Sequence, residues 1–342
     1  MKTSTSKRLR WNIAIWLAAG LFMTSTSGMA SGPILPDPKA EARHQPQVEE
    51  TANGIPLVNI TAPSSGGVSR NEYEMFNVPD KGAILNNSYT LSKTELAGYV
   101  PGNNNMAERP AKIIVNEVTG AGPTSMDGFL EVAGNRADVV IANPNGITVN
   151  GGGFINTGKA FLTTGKPVYD GEDHLQRFDI TGGDILIEGK GLGGKETGSL
   201  AILSRAVKIN AGIWAKDLHI TTGANTVDAK TLEASAIEGK GGRPAFALDT
   251  AAIGGMYAGR ITLVGTEKGL GVNNSGTWSA EDNLTLDWNG DLKNSGTIYS
   301  KGNTDLRASH LENDKTIAAE RNLSAAAKEN IRNQGKLLAG KN

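Results

Sequence analysis

"GGGFINTGKAFLTTGKP", Gly151 to Pro167, carries the pattern closest to a known chemistry, because Gly153 to Lys159 reads G-x-x-x-x-G-K. In a phosphate-binding loop such a run turns backbone N–H groups toward a nucleotide. A Ser or Thr must come next to hold magnesium, and a helix must follow. Here Ala160 comes next, and "FLTTGKP" is strand-like and interrupted by Gly165 and Pro167, so the nucleotide reading fails. "GKGLGG" sets Gly189, Gly191 and Gly194 at G-x-G-x-x-G spacing after the apolar run "DILIE". A dinucleotide site needs an amphipathic helix at that point, whereas Gly198 and "SLAIL" resume strand character. His44, His174, His219 and His310 are scattered without ligand spacing, and there is no cysteine to complete a metal set. "DGEDH" (Asp170 to His174) reads as a solvated acidic loop ahead of a loose cation site, and no acidic and basic cluster of a polysaccharide-cleaving kind nominates itself. The expectation is a protein that is not an enzyme and uses no cofactor and no metal.

The elements that would position these residues are short strands. Forty-four glycines stand against seven Phe, six Tyr and five Trp, a balance that favours many tight turns and thin cross-sections over one thick core. From Gly54 onward, apolar-alternating runs such as "IPLVNI", "AKIIVNEV", "ADVVIAN", "DILIEG" and "RITLVG" are bounded by glycine or asparagine. Their spacing, roughly 8–12 residues, belongs to all-β folds, with sandwich, barrel and solenoid all open at this level.

The two ends add a route and an ambiguity. Lys2, Lys7, Arg8 and Arg10 precede a short apolar core, Trp11 to Met23, and Gly28 and Ala30 fit a signal-peptidase site. Residues 1–30 are expected to be a signal peptide cut after Ala30, the apolar run being too short to span a bilayer. Without it, 30 basic residues face 35 acidic ones, a net of −5 that offers no basic footprint for nucleic acid. No other segment approaches membrane-spanning length, so no stable membrane insertion is expected. Residues 31–50 are polar, proline-bearing and aperiodic, and predict a flexible leader. At the other end, "ERNLSAAAKENIRNQGKLLAGKN" could pass for a helix from its alanines and charges, although its place in a repeat of about 20 residues argues for a coil.

The C-terminal stretch decides the architecture, because it repeats. "VNNSGTW", "LKNSGTI", "LENDKTI" and "IRNQGKL" align, so that Asn274, Asn294, Asn313 and Asn333 fall 20, 19 and 20 residues apart. Asn283, Asn303 and Asn322 keep the same step in a second series. A period near 20 is one rung of a solenoid, with each coil pairing in parallel to its neighbours. The apolar residue ahead of each asparagine of the first series, and the one four after it, are expected inside. The asparagines are expected to tolerate left-handed turn geometry and to stack as a hydrogen-bonded ladder.

With those features in hand, the chain resembles a family. "RNEYEMFNV", "GAILNNS", "VNEVTG", "GFLEVAGNRADVVIANPNGITVNGGGFINT" and "SRAVKINAGIWAKDL" look like the secretion domain of two-partner secretion exoproteins, the filamentous haemagglutinin and contact-dependent inhibition type. The resemblance implies a right-handed parallel β-helix with an N-terminal capping region over 51–270, followed by the start of a filamentous shaft over 271–342. The family's N-P-N-G turn maps to Asn143, Pro144, Asn145 and Gly146, to which secretion signals are tied. The second family copy, usually N-P-N-L, stands here as Asn103, Asn104, Asn105 and Met106, without the proline and leucine that sharpen the turn. Val149 and Gly152 stand where relatives often carry a cysteine pair, which excludes a local disulfide. The implied partner is a dedicated outer-membrane transporter barrel with periplasmic recognition domains. The implied destination is the medium or cell surface of a Gram-negative bacterium, and a host or bacterial surface receptor is a possible further partner. An adhesin is the expected outcome. The alternative is the delivery arm of a contact-dependent toxin whose effector lies further on, and the short length leads us to expect a truncated member.

Overall fold

The computed structural model describes residues 33–107 and 109–340, so the expected signal peptide and its cut after Ala30 lie outside the described residues. The described chain is a parallel β-helix. Successive coils stack rung on rung, and the register can be followed along one outward-facing column: Phe129 pairs with Gly153, Gly153 with Gly193, Gly193 with Trp214, Trp214 with Tyr257, Tyr257 with Ser279 and Ser279 with Tyr299. The neighbouring inward column is Leu192, Ile213, Met256, Trp278, Ile298 and Ile317, all fully buried. Burial of each such side chain is worth roughly 1.5–3 kcal/mol, which lets a thin section hold together through many small contributions. Among the described residues no helix is long and apolar enough to cross a membrane.

The same column explains why the period was legible only late. From Ser279 to Tyr299 is 20 residues, but from Gly153 to Gly193 is 40 and from Trp214 to Tyr257 is 43. Each long coil extrudes strands, Lys166–Tyr169 with Leu175–Ile180 from one and Asn225–Asp228 with Ala234–Ala236 from the other. The two excursions pair with each other, Arg177 opposite Asp228 and Ile180 opposite Asn225, in one four-stranded antiparallel sheet. That sheet sits on one helix face through Phe178, Ile180 and Val227, which pack on Val140, Phe161 and Leu203. A smaller hairpin, Ser92–Thr94 with Gly98–Val100, covers Leu57 and Ile84 through Val100.

The stretch expected to be a flexible leader is ordered from Pro33 on and closes the helix. Ile34–Pro36 runs antiparallel to Val68–Phe76, and Gln47–Glu50 runs antiparallel to Pro56–Asn59. The reason is positional. The first coil of a solenoid presents open strand edges, and a polar, proline-bearing segment is what can cover them without inviting another chain. Ile34 and His44 are buried there. At the opposite end, the alanine-rich segment is strand, Leu323–Asn333 and Lys336–Ala339, with Ile331 in register with Leu311 and Leu337 with Ile317. The repeat register, not local helix propensity, governs it.

Candidate functional site

The N-P-N-G tetrapeptide joins Ala137–Ala142 to Ile147–Val149 and is built around a buried amide. Asn143 is fully buried. Its Oδ1 accepts the N–H of Asn145 at 2.9 Å, and its Nδ2 donates to Gly122 O and Thr124 Oγ1, both at 3.0 Å. Gly146 N–H closes the turn on Asn143 O at 3.1 Å, and the φ of +112° at Gly146 needs a residue without Cβ. Pro144 and Asn145 face solvent, and Asn145 Nδ2 reaches back to Gly120 O at 2.8 Å.

The second tetrapeptide repeats this arrangement despite lacking proline. Asn103 is buried, its Oδ1 accepts Asn105 N–H at 3.0 Å, and its Nδ2 donates to Ile60 O and Asn86 O, both at 2.9 Å. Met106 N–H closes on Asn103 O at 3.0 Å, and Asn105 Nδ2 donates to Ile60 O at 3.0 Å. Asn104 and Asn105 are exposed, so both turns are buried at the first and fourth positions and open at the middle two. The missing proline and leucine therefore do not loosen the turn. Its sharpness comes from the asparagine at the first position, and Met106 supplies the core contact. The two turns lie at different places on the helix and share no hydrogen bond among the described residues.

The periodic asparagines lie along the later coils. Asn274 Nδ2 donates to Asn294 Oδ1 at 2.8 Å, Asn294 to Asn313 at 2.7 Å and Asn313 to Asn333 at 2.7 Å, one line of amides. In the second series the donors include backbone: Asn303 N–H reaches Asn283 Oδ1 at 2.8 Å, and Asn322 N–H reaches Asn303 Oδ1 at 3.2 Å. None of these asparagines has a positive φ, which corrects the left-handed expectation. Asn274 and Asn294 end the strands Val272–Asn274 and Leu292–Asn294 and are selected by what the side chain bonds rather than by an unusual backbone.

The other singled-out residues do not converge. Gly152–Ile155 and Thr157–Thr163 are strands joined at Asn156, so Gly153 to Lys159 cradles nothing. Gly189 and Gly191 are turn glycines with φ of +55° and +80°, followed by the strand Leu192–Gly194. Asp170 folds its own loop, accepting from the N–H groups of Glu172 and His174, both at 2.9 Å. His174 Nδ1 sits 2.9 Å from Asp170 Oδ2, and His310 lies between Asp291 and Glu329 at 2.8 and 2.9 Å. Burial drops His219 to about 4. Among the described residues no group of three His, Asp or Glu is placed to hold a metal ion. One charged cluster was not foreseen, at the junction of cap and extruded sheet. Arg70 lies 2.9 Å from Glu72 and 3.4 Å from Glu117, with its guanidinium over the Tyr169 ring, and His44 Nδ1 meets Glu72 at 3.1 Å. Burial raises Glu117 and lowers His44 there. No sequence signal marks this cluster, because its members come from four separate strands and turns.

The described chain is thus a capped parallel β-helix with two congruent asparagine turns in its early coils and amide ladders in its later ones. The family model described as the TPS secretion domain matches residues 33–300, and the chain belongs to that family. It is thus the secretion-domain part of a two-partner-secreted exoprotein, a secreted or cell-surface protein of Gram-negative bacteria. It is 43% identical over 298 residues to a protein named toxin CdiA from Yersinia pestis, covering 80% of this chain and 9% of that protein. It is 42% identical over 292 residues to one named 16S rRNA endonuclease CdiA from Enterobacter cloacae, covering 82% and 9%. The crystal structure of the filamentous hemagglutinin secretion domain superposes with a TM-score of 0.68 at 30% identity, covering 90% of this chain and 99% of that one. The chain therefore spans about a tenth of these CdiA relatives, and the part it matches is a secretion domain, not a catalytic one.

Proposed function

We propose that this chain is the export-recognition module of its exoprotein. A cognate outer-membrane transporter barrel reads it through periplasmic recognition domains, after a signal peptide is removed near Ala30. The observation that carries the reading is the family match across 33–300, on a helix already closed by its own cap. We assign the recognition determinants to the turns Asn143–Gly146 and Asn103–Met106, whose middle residues are the exposed ones. Residues 271–342 then serve as the first coils of a shaft, with the amide ladders as their ties. Coils lean mainly on neighbours, so folding can begin at the first coils to emerge and oppose return. The displayed rod acts as an adhesin toward a host or bacterial surface receptor.

A second reading, the delivery arm of a contact-dependent toxin, is favoured by one observation: the CdiA relatives at 42–43% identity are named as toxins or nucleases. The test is export of the full chain with and without its cognate barrel, quantified in the medium. Release only with the barrel supports the module. Barrel-independent release, or retention in both cases, overturns it. Reading the frame beyond Asn342 for an effector separates adhesin from toxin arm.

A further inference from the structure

Solvent-facing sheet positions usually hold polar side chains, but one face of this helix carries three rings. Phe129, Trp214 and Tyr257 stand in the same outward column, and Phe129 and Tyr257 are 42% and 39% exposed. Each ring lies down on the sheet because a glycine makes room. A Cβ at Gly153 would stand 2.4 Å from the Phe129 ring, one at Gly212 2.5 Å from Trp214, and one at Gly255 2.8 Å from the Tyr257 hydroxyl. Trp214 and Tyr257, on adjacent rungs, are parallel within 16° at 6.2 Å between centroids. Along this face run three adjoining open hollows of about 1260, 310 and 500 Å³. Phe129, Phe154 and Glu196 are shared by the first two, and Lys195 and Trp214 by the second and third, so they form one groove.

Covering glycines accounts for the posture of the rings. It does not account for Gly193, on the groove floor between Phe129 and Trp214. A Cβ there would meet nothing closer than 3.6 Å, and its φ is not positive, so neither packing nor backbone demands a glycine. A strand glycine normally weakens its strand unless something must approach the backbone closely. The walls supply both signs of charge: Lys93, Arg136 and Lys195 against Glu95, Glu196 and Glu281.

We propose that this groove binds a neutral glycan chain, with pyranose faces seated on Phe129, Trp214 and Tyr257 and one sugar entering the slot over Gly193. The face of an aromatic ring is electron-rich and suits the C–H face of a sugar. Flat rings fixed by their glycines lose little rotamer freedom on binding. Side chains of both signs provide donors and acceptors for hydroxyl groups without a net field that would favour a polyanion. A polypeptide strand is a poor occupant, because the floor strands already pair on both sides and have no backbone groups to offer.

The inference does not rest on the export reading. The full chain is purified folded and titrated calorimetrically with dextran, hydroxyethyl cellulose, mannan and chitohexaose, and with hyaluronan as the polyanion. Expected is binding of at least one neutral glycan, unchanged between about 50 and about 500 mM salt. Trp214→Ala should weaken it about tenfold or more, and Trp214→Phe should largely retain it. Gly193→Val fills the slot with a strand-favouring residue, so it should abolish binding while melting no lower than the parent. No binding to any neutral glycan, binding to hyaluronan alone, or unchanged affinity in both Trp214→Ala and Gly193→Val overturns the proposal. Barrel-dependent export of Gly193→Val, measured beside the titration, keeps this result apart from the export reading.

Discussion

Asn294 and Asn313 sit one above the other on adjacent rungs, both fully buried, with Asn294 Nδ2 donating to Asn313 Oδ1 at 2.7 Å. Asn294 also accepts from Asn274 through its own Oδ1, so it is a through-link with neighbours on both sides. Asn294→Ala leaves a buried donor above and a buried acceptor below without partners. We expect a loss of about 2–3 kcal/mol in that section. Thermal melts and amide exchange over the rungs flanking residue 294 read it. Asn322→Ala, at the exposed end of the second series, should cost under about 0.5 kcal/mol.

The two tetrapeptide turns should respond to substitution as a pair. Asn143→Ala and Asn103→Ala each keep the backbone oxygen that closes the turn but remove the Oδ1 that accepts the N–H of Asn145 or Asn105, together with a buried double donor, and each should destabilise by about 2 kcal/mol. Asn104→Pro should be tolerated or stabilise by up to about 1 kcal/mol, since Asn103 already has the extended φ of −93° and ψ of 115° that a following proline requires. A melt of Asn104→Pro lying well below the parent would show that the turns are not equivalent.

His219 makes stability fall on the acid side. Burial holds it near 4, while the unfolded chain titrates near 6.5. Between those values the unfolded state binds a proton that the folded state refuses, so stability drops as pH falls from about 6.5 to about 4 and levels off below. The full effect is up to about 3 kcal/mol. His219→Gln should flatten that segment of the curve of melting temperature against pH.

Glu117 works in the opposite direction. Burial raises it, despite Arg70 close by, and its Oε2 is among the buried atoms without a hydrogen-bond partner. A carboxyl whose folded value is raised favours folding in its protonated form, and that contribution is lost as pH rises through the folded value. Glu117→Gln should therefore melt above the parent at neutral pH and match it in acid. A lower melt at neutral pH would mean that the contact with Arg70 outweighs the desolvation.

What the sequence made readable follows from how local the governing physics is. The late asparagines announced the solenoid because nothing interrupts those coils, and Trp278, Ile298 and Ile317 recur on a constant step. The early coils hid the same period behind the two excursions, whose mutual pairing is long-range and leaves no local mark. The cap was misread for a related reason: Pro36 and Gln47 suit edge cover, but composition cannot show that Val68–Phe76 and Pro56–Asn59 lie waiting for partners. The tetrapeptides were found by resemblance, whereas their equivalence rests on side-chain amides that only coordinates display. The groove had a faint signal, a glycine two residues before each strand aromatic in "GIW" and "GMY", which composition alone does not separate from the chain's many other glycines.

The mutual pairing of the two excursions sets a minimum length on orderly folding. A plain stack can be completed rung after rung as chain is supplied, but Leu175–Ile180 has no outer partner until Asn225–Asp228 arrives, with two further coils laid down between them. Until then Phe178 and Ile180 rest on the helix as a lone hairpin, with one side of its ladder open to water. On the proposed export route, chain delivered end first would meet a clasp that snaps shut only once the second excursion has cleared the exit. Everything before it is provisional, and everything after it is built on a locked base.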